Sequence, residues 1–337
     1  MKEIIQKLIE KKDLSSEEAR ESMHIIMSGN ATDAQIAGFL IALRMKGETP
    51  EEIASMVEVM REFADAIKPK VKSRLVDTCG TGGDKIKTFN ISTTAMFIVA
   101  GTGIPIAKHG NRSVSSKCGS ADVLETLGIR IDMEPKKVEE CIEKVGVGFM
   151  FAPTFHKAMR YVMPARKQLG VRTIFNVLGP LTNPANAKGQ ILGIFDPDMT
   201  EKIAEVLKLT GVERAFVVHG IDGLDEISTI GETKVSELHD RKIKTYYIKP
   251  EDFGIRKASV DDILGGDAAI NAKIMKDILY GKETGPKRDI VLLNAAAGIV
   301  AGGKANTLEE GIEIAKESLN SGKAAKKLED LIRFSQS

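Results

Sequence analysis

Along the first 66 residues the apolar positions recur at helical spacing. Ile36, Phe39, Leu40 and Leu43 form one stripe, and Ile53, Met56, Val57 and Met60 form another. Helix starts are marked ahead of these runs. Ser15 with Glu18 and Thr32 with Gln35 have the capping-box spacing, and Thr49-Pro50 with Glu52 adds a first-turn proline. Gly29 and Gly47 stand where helix ends are expected. The pattern predicts a small all-helical domain over residues 1–67, followed by a linker at Lys68-Pro69-Lys70-Val71-Lys72.

From residue 74 the pattern changes. Short apolar runs, at Leu75–Cys79, 104–108, 147–152, 190–195 and 214–219, alternate with helical patterns. Those helices are expected at 92–100, 119–128, 135–145, 155–169 and 200–210. Such alternation predicts an α/β domain over 74–337 with a mostly parallel central sheet. β-prone pieces such as KIKTYYI follow residue 226, and two or three helices are expected from about 267 to the end.

Composition narrows the class. A chain of 337 residues is long for one core, which agrees with two domains. The formal charge of +1 offers no global attraction to nucleic acid or anionic lipid. No apolar run reaches the roughly 18–20 residues that cross a bilayer. Cys79, Cys118 and Cys141 form neither a C-x-x-C pair nor an even set. A reducing compartment fits, and the expected location is the cytoplasm.

Five segments carry candidate chemistry. Gly80-Thr81-Gly82-Gly83-Asp84 directly follows a strand, where glycines let N–H groups cradle an anion. It matches neither the dinucleotide nor the Walker pattern. Thr88-Phe89-Asn90-Ile91-Ser92-Thr93-Thr94 places hydroxyls at a helix start, which attracts anions. Capping by Ser92 or Thr93 is compatible with that role. Lys108 to Ser120 is a basic, hydroxyl-rich loop suited to phosphate. Asp222, Asp225 and Glu226 follow another strand, and adjacent carboxylates there suit Mg²⁺, although an Asp-Gly turn has the same composition. In 155–184, His156, Arg160, Arg166, Arg172 and Asn176 surround the apolar run Ile174, Phe175, Val177 and Leu178, which reads as core.

Seven segments in order, DTCGTGGD (77–84), FNIST (89–93), KHGNRSVSS (108–116), GSADVLETLG (119–128), ARKQLGVRTIFNVLGPLTNP (165–184), VHGIDGLDE (218–226) and GGDAAINA (265–272), resemble the anthranilate phosphoribosyltransferase family of tryptophan biosynthesis. The chain departs from that pattern at His156-Lys157 and Met163-Pro164-Ala165, beside the implied acceptor entrance. The resemblance implies a nucleoside phosphorylase/phosphoribosyltransferase-like fold, with part of 155–184 packing on the helical domain. It also implies a homodimer formed through that domain. By the family motifs, phosphoribosyl diphosphate would meet Gly80, Gly83, Asp84, Thr88, Asn90, Ile91, Ser92, Thr93, Lys108, His109, Gly110, Asn111, Arg112, Ser113, Val114, Ser115, Ser116 and Ser120. Mg²⁺ would be held by Ser92, Asp225 and Glu226, and anthranilate would meet Gly80, Asn111 and Arg166. His109 would either accept the amine proton or only line the acceptor site. A pyrimidine nucleoside phosphorylase would share the fold, but KHGNR and IFNVLGPL favour the transferase. A nucleic-acid-binding relative would call for a clearly basic balance that this chain lacks.

Overall fold

The computed structural model describes residues 1–82, 86–113 and 118–337. Four helices open the chain: α1 (Lys2–Ile9), α2 (Ser16–Met27), α3 (Asp33–Lys46) and α4 (Pro50–Glu62). All three expected capping boxes form, at Ser15, Thr32 and Thr49, so each helix start satisfies free N–H groups with its own side chains. Gly29 and Gly47 follow α2 and α3 with φ of +76° and +88°, a conformation that costs glycine little.

The larger unit is built on one seven-stranded sheet. Its strands are β1 (Val76–Gly80), β2 (Ile106–Gly110), β3 (Val147–Phe151), β4 (Gly189–Gly193), β5 (Arg214–Gly220), β6 (Thr233–His239) and β7 (Lys242–Ile248). The spatial order is β3-β2-β1-β4-β5-β6-β7. The first five are parallel, and β6 and β7 close one edge as antiparallel strands. Intervening helices are α5 (Ile91–Gly101), α6 (Ser120–Thr126), α7 (Pro135–Val145), α8 (Ala152–Phe155), α9 (Met163–Leu169), α10 (Phe175–Leu181) and α11 (Thr200–Leu209).

Two expectations need correction. The helix read over 155–169 is broken into α8, a 3₁₀ turn at Lys157–Tyr161, and α9. His156 leaves the helical region, with φ −115° and ψ 60°, and Pro164 serves the first turn of a new helix instead of continuing an old one. The C-terminal region holds four helices, α12 (Ala268–Leu279), α13 (Pro286–Ala301), α14 (Leu308–Asn320) and α15 (Lys323–Gln336). They are separated by Gly285-Pro286, by a Thr307 cap and by Gly322 at φ +75°.

Period-two alternation divides the strand side chains between two layers. Ile191, Phe216 and Val218 face a core shared with α5, α13, α14 and α15. Leu192, Ala215 and Val217 face the opposite core, which also takes in α1–α4 and residues 162–181. Val177, Leu178 and Leu181 are buried there, so the apolar run at 174–178 is core. The helical unit therefore packs against one face of the sheet, α4 lying on α11 and α10.

Candidate active site

The chain leaves β1 for β2 and β3 on one side, then returns to β4 and β5 on the other. This reversal makes the carboxyl ends of β1 and β4 the topological switch point, where open α/β sheets have their ligand crevice. Gly80 and Gly193 face each other there as register partners. Thr81 N–H donates to the Gly193 carbonyl (2.9 Å), and Phe195 N–H donates to Thr81 Oγ1 (3.1 Å). Gly82 turns the chain at φ +70°.

These glycines first of all make room for protein. A Cβ on Gly80 would lie 2.8 Å from Asp225 Oδ2, and one on Gly193 would collide with the Asp225 main chain. The loop after β5 is thus drawn in against β1 and β4. Gly82 N–H donates to Asp225 Oδ2 (2.8 Å), and Ser92 N–H, at the start of α5, donates to Glu226 Oε1 (3.1 Å). The two carboxylates of the Asp225-Glu226 pair therefore sit on the two anion-suited turns. Asp222 is different: its Oδ2 accepts from Ser228 Oγ (2.5 Å) and its Oδ1 from Leu224 N–H (3.2 Å), so it shapes the turn. Asn294, buried in α13, exchanges hydrogen bonds with the Ile227 main chain at 2.9 Å each way and fixes the loop from below.

The start of α5 departs from one expectation. Neither Ser92 nor Thr93 caps it; Asn90 occupies the cap position and its side chain makes no capping bond. Asn90 Nδ2 donates instead to the Cys118 carbonyl (3.2 Å), and its Oδ1 accepts from Asn271 Nδ2 (3.0 Å). Asn271 Oδ1 in turn accepts from Gly266 N–H (2.7 Å), which explains why the 265–272 segment travels with the site. Thr88 bridges to Leu264. Ile91 and Thr93 are buried, Ile91 within the core, so any contact of Ile91 with a ligand falls to its main chain.

Lys108, on β2, is buried beneath this crevice. Its ammonium donates to the Thr78 carbonyl and lies 3.5 Å from Ser92 Oγ. Burial pushes its pKa below the ordinary lysine range, against the attraction of Asp77. Asp77 is itself fully buried, and burial raises its carboxyl to about 6. It accepts from His109 N–H (3.2 Å) and Asn183 Nδ2 (2.7 Å), and Asn183 Nδ2 also donates to the Ala107 carbonyl (2.9 Å). Neither Asp77 nor Asn183 stood out in the sequence. Their only signal was a polar residue inside an apolar strand and another at its partner turn.

The loop after β2 bends at Gly110, where Ser120 and Phe149 fill the space of a side chain. Ser120 Oγ donates to the Asn111 carbonyl (3.3 Å), and Asn111 Oδ1 accepts from Arg112 N–H (2.8 Å). Arg112 is committed elsewhere. Its guanidinium pairs with Glu125 (2.8 and 2.9 Å) and Asp122 (3.0 Å) on α6, while Asp122 also accepts from Ser113 N–H (3.1 Å) and Gly119 N–H (2.8 Å). Arg112 thus braces the loop against α6. Gly83, Asp84, Val114, Ser115 and Ser116 lie outside the described residues.

On the far side, His109 Nδ1 lies 3.1 Å from the Gly179 carbonyl of α10, and its ring centre is 5.0 Å from that of His156. Burial lowers His109 to about 3 and His156 to about 4, so both imidazoles are neutral near pH 7. With Nδ1–H donating to Gly179, Nε2 of His109 carries the lone pair, and it has no partner. Arg166, on α9, lies 5.6 Å from the Phe175 ring centre of the same α10 segment. It makes no ion pair among the described residues, and burial lowers its guanidinium pKa.

The chain as a whole is similar to known proteins. Residues 2–64 match the glycosyl transferase family helical bundle domain, and residues 72–325 match the glycosyl transferase family a/b domain. The chain is 53% identical to the anthranilate phosphoribosyltransferase of Persephonella marina, over 100% of this chain and 99% of the relative. It superposes on the crystal structure of anthranilate phosphoribosyltransferase from Thermus thermophilus with a TM-score of 0.94 at 43% identity, covering 99% of both chains. It likewise matches the Saccharomyces cerevisiae enzyme in complex with PRPP and Mg, with a TM-score of 0.90, 30% identity, and 99% and 97% coverage. Identity sustained over both domains, with a matching fold over the whole chain, places this chain in the anthranilate phosphoribosyltransferase family.

Proposed function

We propose that this protein transfers the 5-phosphoribosyl group of phosphoribosyl diphosphate to the amine of anthranilate. The products are N-(5-phosphoribosyl)anthranilate and diphosphate, in tryptophan biosynthesis. The observation that carries this reading is the meeting of the Gly80 turn, the α5 start, Lys108 and the Asp225-Glu226 pair at one switch point. The donor diphosphate lies against Gly80–Gly82 and the start of α5, with Thr88, Asn90, Ser92, Thr93 and Lys108 around it. Residues 109–113 and Ser120 enclose its phosphoribosyl part.

Asp225, Glu226 and Ser92 offer only oxygen donors, and two adjacent carboxylates are what Mg²⁺ commonly takes before completing its shell with water and phosphate. Both carboxylates already lean on the two anion-binding turns, so this donor set fits a Mg²⁺–diphosphate pair. When bound, Mg²⁺ neutralises charge on the diphosphate as it departs.

Arg166 pairs with the anthranilate carboxylate, while Gly80 and Asn111 bound the ring. The amine lone pair then attacks the ribose anomeric carbon as its bond to diphosphate oxygen breaks. Lys108, 3.5 Å from Ser92 Oγ, supplies positive charge where negative charge grows on the leaving diphosphate. The arylamine attacks as the neutral base and loses a proton after bond formation. A protonated arylamine is itself a good acid, so it needs no strong base to lose that proton, and His109, whose Nε2 is buried, serves to line the acceptor side. Holding both substrates in line supplies up to roughly 7–11 kcal/mol of the barrier reduction.

The active form is a homodimer through the helical domain, in the cytoplasm; Ile9 and Met45, 62% and 77% exposed on that domain, support the former. No helix of the described residues is long and apolar enough to cross a membrane. The test is anthranilate fluorescence. Loss that requires enzyme, donor and Mg²⁺ together is expected, and Asp225→Asn should raise the Mg²⁺ concentration needed. Fluorescence that persists with donor bound removes anthranilate as the acceptor.

A further inference from the structure

A second cavity lies at the opposite end of the sheet, away from the crevice by the length of β1, roughly 16 Å. It is a cleft of about 800 Å³ between the end of α4, residues 66–75 and the entries to β4 and β5. Five cations line it, Arg61, Lys68, Lys72, Arg74 and Lys188, against one carboxylate among the described lining residues, Glu213. Glu213 is engaged by Arg74 at 3.0 Å.

Arg61 and Lys188 have no carboxylate between them. Arg61 donates to the carbonyls of Leu181 (2.8 Å) and Thr210 (3.2 Å), and its buried Nε has no partner. Lys188 donates to the Gly211 carbonyl (2.9 Å). Both cations reach the same amide oxygen, Asn186 Oδ1, at 3.4 Å each. Asn186 is held at φ +49°, an uncommon backbone for a residue with a side chain. Burial lowers Arg61 to about 10, and burial with the Arg61 charge lowers Lys188. Carbonyls alone would suffice to join two domains. The unused Arg61 N–H is itself buried, so what the cleft presents, among the described residues, is five cations against one carboxylate, two of them converging on Asn186 with no carboxylate partner.

We infer that this cleft is an anion site, separate from the catalytic crevice, that takes a small molecule bearing a phosphate group. A planar guanidinium fork beside a compact ammonium matches a tetrahedral dianion. The volume lies within the range of small-ligand sites and exceeds the needs of a bare ion. An occupant ties α4 to the strand entries of the sheet and so stiffens the junction of the two domains. This inference stands on the cleft alone and does not depend on the identity of the acceptor.

The test uses the full-length enzyme. Acylation of Lys188 by a lysine-reactive anhydride is followed by peptide mass spectrometry with inorganic phosphate, with ribose 5-phosphate, and with chloride at equal ionic strength. Either phosphate compound should slow Lys188 acylation several-fold while chloride does not; a stronger effect of ribose 5-phosphate assigns an ester, and equal effects assign free phosphate. In equilibrium dialysis of labelled phosphate, the Lys72→Gln/Lys188→Gln variant should lose one class of site, weakened about tenfold or more. Absence of protection, equal protection by chloride, or an unchanged isotherm in the folded variant overturns the inference.

Discussion

Gly193→Ala is the sharpest test of how the site is assembled. The residue ends β4, more than a hundred positions along the chain from the glycine-rich turn that it faces. Yet a Cβ there would lie 1.6 Å from the Asp225 carbonyl oxygen, and ordinary contact begins near 3.4 Å, so the 225 main chain must retreat by about 1.8 Å. That oxygen belongs to backbone tied on both sides, through Asp225 to Gly82 and through Ile227 to Asn294, so it cannot swing away as a flexible side chain would. Overpacking of this kind costs about 1–3 kcal/mol of stability. The larger effect falls on the Asp225-Glu226 pair, because a 1 Å misplacement can cost roughly a hundredfold in rate. The expectation is a kcat/KM for the donor reduced about a hundredfold or more, and a raised Mg²⁺ requirement. Steady-state kinetics by anthranilate fluorescence, with a Mg²⁺ titration, reads both. Gly38→Ala is the control, since its Cβ would meet only Ile5 at 3.8 Å and it improves helix propensity. Wild-type kcat/KM and Mg²⁺ dependence in folded Gly193→Ala would refute the placement of the 225 loop against β4.

Arg166→Ala should raise the anthranilate KM roughly tenfold to a hundredfold, the value of a charged hydrogen bond of about 1.5–3 kcal/mol, and leave the donor KM nearly unchanged; equal changes in both would remove its role in acceptor binding. Stability should fall on acidification from pH 7 to 5. Unfolded histidine protonates near 6.5, but His109 and His156 stay neutral in the fold down to about 3 and about 4, so the unfolded chain binds more protons in this window. Asp77, raised to about 6, acts with the opposite sign over the same interval, leaving a net loss of roughly 2 kcal/mol. Urea denaturation at the two pH values measures it, and His156→Asn should remove about half of the histidine contribution; an unchanged pH slope in that variant contradicts the assignment. Glu52→Gln should destabilise the helical unit by about 3 kcal/mol, because buried Glu52 accepts from Lys46 Nζ, Leu14 N–H and Thr49 N–H, each at 2.8 Å. A change below about 1 kcal/mol in urea denaturation would show that Asp13, the other partner of Lys46, compensates.

Features governed by neighbours in the chain were readable from the sequence. Capping boxes at Ser15, Thr32 and Thr49 join residues three apart, and the helical stripes of α3 and α4 repeat within one turn or two. The five parallel strands announced themselves as short apolar runs, and the class of fold followed from their alternation with helices. Family motifs brought the candidate ligand residues, because those lie in contiguous loops after β1, after β2 and after β5. The break at His156 was less visible, since Pro164 suits either an interrupted helix or the first turn of a new one.

What the sequence determined by itself, then, was local: where helices start, which stretches alternate, and which loops carry phosphate-binding chemistry. What only the tertiary structure decided was which of those groups meet and which are diverted. Arg112 stands in a phosphate-suited loop in the sequence, and only the fold brings Glu125 and Asp122 of α6 to pair with it. The requirement for glycine at 193 exists only because the 225 loop arrives against it. Asp77 and Asn183 are 106 positions apart, and their hydrogen bond exists only because β1 and the turn after α10 are neighbours in space. The physical reason is range: capping and periodicity act over one or two turns of chain, whereas charge pairing, burial and steric exclusion act through space between segments the sequence keeps far apart.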